Sequence, residues 1–202
     1  LYTVRRRHAL FPPIYITADA RKAAIYTPHN VQAYERFAHL ATQALKDPTY
    51  QRFLCRVITR EQIVDTQIAH IHVKTFPHVK SNGRRLVGRS NGDGEIALYP
   101  QRLRRIRTMR RRWGIEASRL YVKSRARAAL LHELLHLKYR NREQTVRALT
   151  RRYFRAYQKR IRPENDAVIM NTLFPAGEGT QIITRRPSAS QQAPSSLRPS
   201  RA

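Results

Sequence analysis

His132-Glu133-Leu134-Leu135-His136, set in the leucine-rich run from Leu131 to Tyr139, is the stretch from which the fold is read. Leucine, glutamate and lysine are good helix formers, so the run predicts a helix. Residues four apart on a helix share a face, and His132 and His136 therefore bring two imidazoles to one point. That spacing suits a zinc ion. Glu133, one residue along, sits where a carboxylate can take a proton from a water at the metal.

Outward from this helix the period changes. Ile68, His70, His72 and Lys74 alternate with Ala69, Ile71, Val73 and Thr75, which predicts a strand. Glu95 to Tyr99 is a second strand stopped by Pro100. Between them Pro77, Gly83, Gly88, Asn91-Gly92 and Asp93-Gly94 predict a loop or hairpin. Further back, Val31, Tyr34, Phe37, Ala38, Ala41 and Leu45 recur at helical spacing, with Pro28 suited to the opening turn and Pro48 to a stop. A second helix covers Tyr50 to Thr59. Cys55, beside Phe53, Leu54, Val57 and Ile58, is expected in the core; a single cysteine forms no internal disulfide. Ile14 to Thr17 reads as a short strand. After Pro100 three helices are expected, near 101–112, 123–139 and 143–160. The fold class is α+β. A basic N-terminal arm with a short strand spans 1–27, a domain spans 28–160, and an extended low-complexity tail spans 161–202.

Gly94-Glu95-Ile96-Ala97-Leu98-Tyr99-Pro100, the helix from Leu131 to Tyr139 and then Asn141 together resemble the SprT-like and YgjP-like zinc metallopeptidases, over roughly residues 65–160. The resemblance implies a zincin-like core: an edge strand before the active helix, zinc on the two motif histidines, the motif glutamate as general base, and a third histidine after the asparagine. Here Arg142 follows Asn141. A guanidinium stays protonated and repels a metal ion, so it is no ligand. Three outcomes are open. Glu143 supplies the third ligand, with His132 and His136, and a hydrolase survives. Or zinc stays on two histidines plus His70, His72 or His78 as a structural ion. Or the scaffold is degenerate and no cofactor is expected. Arg142 at the ligand position, and the positive charge of Arg140 and the 143–160 helix beside the expected cleft, favour the last.

Charge points to a partner. The 202 residues carry a net +27, and 33 of the 40 basic residues are arginine, whose planar fork grips phosphate oxygens in pairs. Residues 101–160 alone hold +17. Arg102, Arg104, Arg105, Arg107, Arg110, Arg111 and Arg112 are interrupted by Leu103, Ile106 and Met109, an amphipathic helix with a narrow docking stripe and a wide basic face. A second basic helix sets Arg147, Arg151, Arg152, Arg155, Lys159 and Arg160 against Val146, Leu149, Tyr153 and Phe154. Like charges at these spacings cost a few tenths of a kcal/mol per pair unless an anion arrives. Arg5, Arg6 and Arg7 make the N-terminal arm a further contact. No aromatic RNA-binding motif, zinc-finger spacing or basic zipper appears, so backbone contact without sequence readout is expected.

The reading this favours is a structural protein that packages or coats nucleic acid, duplex DNA in a viral nucleocapsid before RNA, on an inactivated metallopeptidase scaffold. Neighbouring copies or other subunits of a large assembly are the expected partners, held by extended arms whose composition does not fold alone. A ribosomal protein, or an active zinc metallopeptidase associated with DNA or ribosomes, are the alternatives. No apolar run approaches the eighteen residues of a membrane span, so no membrane insertion is expected. The location expected is the inside of a nucleoprotein particle, a virion or otherwise a ribosome or nucleoid. Cys55 has no histidine partner in sequence, residues 91–94 lack the acidic spacing of a calcium loop, and Gly83 and Gly88 do not open a helix as a phosphate loop would. The ten tyrosines are read mostly as core.

Overall fold

In a computed structural model, which describes residues 11–161 other than 65–67, 84 and 92, Asp47 ends one long helix and caps the next. Its carboxylate accepts from the amides of Thr49 and Tyr50, two of the donors a helix start leaves orphaned. Pro48 therefore opens a helix as well as following one. The first strand, β1 (Ile14–Thr17), leads through a short helix α1 (Ala20–Ala23), unforeseen from sequence, to α2 (Pro28–Lys46), capped by Thr27, and α3 (Pro48–Glu61). β2 (His70–Lys74), β3 (His78–Val79), β4 (Arg85–Leu86), β5 (Gly88–Ser90) and β6 (Glu95–Leu98) follow, then α4 (Leu103–Tyr139) and α5 (Glu143–Ile161). This is a mixed α+β fold with a small sheet and several helices.

Four strands form the main sheet in the order β1-β2-β6-β5, the first three parallel and β5 antiparallel on the edge. The hairpin expected between the two sequence-predicted strands is thus β3 paired with β4, followed by the edge strand. β1 pairs with β2 over its whole length and Ile14 is buried, so this strand belongs to the core rather than to a detached arm. In β2 the alternation foreseen from sequence holds: Ile71 and Val73 face the core, while His70, His72 and Lys74 face outward.

The core lies between the sheet and the helices. Leu45 of α2, Tyr50 and Leu54 of α3, Ile71, Ile96, the α4 leucines 130, 131, 134 and 135, and Val146 and Phe154 of α5 are almost inaccessible to solvent. Removing about 25 cal/mol per Å² of apolar surface from water is what holds these layers together. Cys55 is exposed, contrary to expectation. The buried stripe of α3 runs Tyr50, Phe53, Leu54, Val57 and Glu61, and Cys55 falls one position off it.

The two expected helices, 101–112 and 123–139, are the two helical segments of α4, which meet at a kink. Residues 115–122 are helical too, with Ser118 and Tyr121 buried, and the interruption is confined to Gly114 at φ 88°, ψ 174°. At the far end of α4, Glu61 clamps the turn into α5. The hydroxyls of Tyr139 and Tyr153 donate to its carboxylate, and Lys138 pairs with it at 3.6 Å while donating to its backbone carbonyl.

Candidate metal centre

α4 delivers His132 and His136 from one face, one turn apart, and α5 begins with Glu143 directly opposite. His132 Nε2 and His136 Nε2 are 3.1 Å apart. Glu143 reaches His136 Nε2 at 3.1 Å through Oε2 and His132 Nε2 at 3.7 Å through Oε1. The three ligand atoms lie within 4.8 Å of one another.

The second nitrogen of each ring decides what the first can do. His136 Nδ1 is 2.5 Å from the carbonyl oxygen of Arg140, which can only accept, so Nδ1 carries the proton. Arg140 stands at φ 42°, a backbone excursion that turns this carbonyl back toward the helix. His132 Nδ1 is 3.4 Å from Thr150 Oγ1, whose own hydrogen goes to the Val146 carbonyl at 2.7 Å, so Nδ1 donates there too. The two Nε2 atoms are the ring positions that face each other and the Glu143 carboxylate. A cation placed among them would be met by two ring nitrogens and a carboxylate oxygen. Burial first, and the neighbouring His136 ring second, push the His132 pKa down to about 4. Burial acts against the Glu143 carboxylate, but Arg147 and the two histidines outweigh it and hold its pKa low. Two imidazoles and a carboxylate with their outer atoms fixed are a donor set that fits zinc.

Glu133 points from the buried side of the same helix turn to the edge strand. Gly88 on β5 has no side chain where Glu133 lies, and the Ser90 backbone amide donates to the Glu133 carboxylate. Burial, with Glu143 adding to it, pushes this carboxylate up to about 7, against the opposing pull of His136, the Ser90 amide and Lys80. A carboxyl group poised near neutrality can both take and return a proton.

Of the residues singled out in the sequence, His132, Glu133, His136 and Glu143 are brought together. Arg142 is exposed, outside the cluster, its amide bonded to the Tyr139 carbonyl. Glu143, one residue after Arg142, is the carboxylate that stands with the two histidines. His70, His72 and His78 are elsewhere: His72 faces Thr17 and Glu95, His70 packs on Tyr15, and His78 meets Lys22 and the Tyr99 ring. Gly88, Ser90, Thr150 and Glu61 were not foreseen. Their roles depend on contacts across the fold that no local pattern announces.

The arginines divide. Arg102, Arg104, Arg105, Arg110, Arg111 and Arg112 are exposed on α4 and at its cap, and Arg107 donates to Asn30 at 2.6 Å. Arg151, Arg152, Arg155, Lys159 and Arg160 are exposed on α5, whereas Arg147 is engaged with Glu143 at 2.6 Å. Arg5, Arg6 and Arg7 lie outside the described residues. Arg127 is structural: it donates to the Ala44 carbonyl, pairs with Asp47 at 2.7 Å and lies over the rings of Tyr50 and Tyr157. No helix among the described residues is long and apolar enough to cross a membrane.

A comparison with protein-family models finds no match. Comparisons with curated proteins and with solved structures find none either.

Proposed function

We propose that this chain is a metal-dependent hydrolase of peptide bonds, built on a zincin-like scaffold and acting where protein is held on nucleic acid. One observation carries the reading: two imidazole nitrogens and the Glu143 carboxylate converge, their atoms within 4.8 Å of one another, on the helix turn that also sets Glu133 against the edge strand. His132, His136 and Glu143 would hold the ion. A zinc ion there supplies Lewis acidity, making a water acidic and a carbonyl electrophilic. Glu133 takes the proton from the attacking water and returns it to the nitrogen that leaves as the carbonyl–nitrogen bond breaks. Ser90 keeps the Glu133 carboxylate aimed, and Gly88 leaves room for it.

Substrate placement follows from the sheet. β5 is the edge strand and lies against the helix that carries Glu133. An extended polypeptide adding to that edge would lay its backbone beside the glutamate, with main-chain hydrogen bonds setting its register. An inactive scaffold was favoured in the sequence by Arg142 at the ligand position and by the positive charge beside the expected cleft. The place of Glu143 beside the two histidines supports the active reading against the first of these grounds.

The test is elemental analysis of the nucleic-acid-free protein together with cleavage of an unfolded protein substrate, with and without DNA. We expect about one zinc per chain, removed by chelation, and cleavage that is lost in Glu133→Gln while zinc is retained. Protein that takes up no zinc would overturn the proposal. The net charge of +27 favours a second reading, a protein that coats nucleic acid, duplex DNA in a nucleocapsid or RNA in a ribosome, on a catalytically silent scaffold. Its signature is a steep fall of duplex affinity with salt, about 0.9 log units per phosphate neutralised, without zinc and without cleavage.

A further inference from the structure

Away from the metal centre, Arg85 of β4 and the first segment of α4 border an open groove of about 450 Å³. Arg85, Arg102, Arg104, Arg105 and Arg112 line it with Trp113. No carboxylate is among its lining residues, and among the described residues none of these five guanidinium groups has an acidic partner. Arg125 lies close behind, half-buried, its guanidinium donating to the Tyr99 carbonyl at 2.8 Å and near enough to Arg85 and Arg105 to feel their charge. Several like charges around one concavity repel one another, and the arrangement gains stability only when an anion enters.

Trp113 tells what kind of anion. It is 43 % exposed at the groove wall, the Arg112 guanidinium lies 5.0 Å from its ring, and it is the single tryptophan of the chain. Gly114 immediately after it breaks the helix at φ 88°, so the ring stands at the end of the segment rather than on a continuous helix face. Arginine forks answer phosphates, and an exposed indole answers a flat ring. A duplex hides its base faces in the stack and offers only edges. A single strand offers both groups at once.

We propose that this groove binds single-stranded nucleic acid, with the arginines on successive phosphates and one base stacked on Trp113. The proposal deepens the nucleic-acid reading above and does not depend on the metal centre. The hairpin that supplies Arg85 runs on, three residues later, to Gly88 beside Glu133. A strand held in the groove would keep its bound protein close to the edge strand.

Because Trp113 is the single indole, its emission reports the groove directly. The full chain is titrated with oligothymidylate, a matched hairpin duplex and polyglutamate, following tryptophan emission and the anisotropy of labelled oligonucleotide. We expect saturable quenching by the single strand. Trp113→Ala should weaken single-strand binding roughly tenfold, Trp113→Phe should recover much of it, and duplex affinity should stay unchanged. Arg105→Gln with Arg112→Gln should flatten the log–log salt dependence by roughly one to two units. Oligothymidylate binding that these exposed-site variants leave intact, with no quenching, would overturn the groove and spare the wider nucleic-acid reading. Failure to bind any nucleic acid would overturn both. Equal quenching by polyglutamate would mark the groove as an acidic-peptide site and overturn the inference.

Discussion

Gly88 lies so close to Glu133 that a β-carbon added to it would stand 2.5 Å from the glutamate Oε1 and 2.6 Å from its Cγ. The backbone of Gly88 has no positive φ to explain the residue; the space does. Glu133 is thereby pinned between the edge strand and its own helix.

Gly88→Ala is therefore expected to displace the glutamate while leaving the histidines in place. Overpacking of this kind costs about 1–3 kcal/mol, measured by urea unfolding. Zinc content should hold and cleavage should fall at least tenfold. Unchanged cleavage would show that the position of Glu133 beside β5 is not needed for the reaction.

Glu143 is the second test. Removing a ligand should cost more than the ten- to hundredfold loss usual for residues that merely support one, so Glu143→Ala should weaken zinc binding at least roughly hundredfold. Arg142→Ala should change it little, since that side chain is outside the cluster. Competition with a chromophoric chelator reads both. On the proposed reading, zinc should raise the thermal stability of the parent protein and leave that of Glu143→Ala unchanged.

How much of this was legible before the structure depends on the range of the interaction. The face shared by His132 and His136 is set by helix geometry alone, and β2 by strict alternation, so both could be read from a few consecutive residues. Pro28 marked a helix start for the same local reason, whereas Pro48, read as a stop, also opens the next helix. Cys55 misled because an apolar run such as Phe53, Leu54, Cys55 spreads round a helix and periodicity must choose the stripe. Gly114 does separate two helical segments, but the second starts directly after it rather than near 123, a start that no cap or proline marks in the sequence. Glu143 could be named as a candidate, but its placement depends on the Arg140 turn and on Glu61, 82 residues away in sequence, which fastens both helices. Long-range contacts of that kind leave no periodic trace.

Glu61 gives a pH-dependent prediction. Burial would raise its pKa, but the Tyr139 and Tyr153 hydroxyls and Lys138 more than offset this, and the folded value is lowered. A carboxylate lower in the folded than in the unfolded state stabilises the fold above its unfolded pKa, about 4.3 for glutamate. That contribution is lost as pH falls through the lowered folded value. Glu61→Gln should cost about 1–3 kcal/mol at neutral pH. Its stability should then fall less steeply than that of the parent between pH 5 and pH 3, both within the acid range where carboxylates titrate. Urea midpoints with chelator present check this, and parallel curves would refute it.

Gly114 is the last. Its φ of 88° with ψ of 174° falls in a region that side-chain-bearing residues occupy only at a cost of about 1–3 kcal/mol. A β-carbon there would meet nothing within 4 Å, so any penalty comes from the backbone and not from crowding. Gly114→Ala should therefore lose stability in that range with zinc content unchanged, because the kink is eighteen residues before His132. If the segments straighten to relieve the strain, Trp113 turns relative to Arg85 and its emission shifts in the free protein. A variant as stable as the parent, with unaltered emission, would show that the kink is not imposed by this glycine and that the groove is held open by the arginine-bearing segments alone.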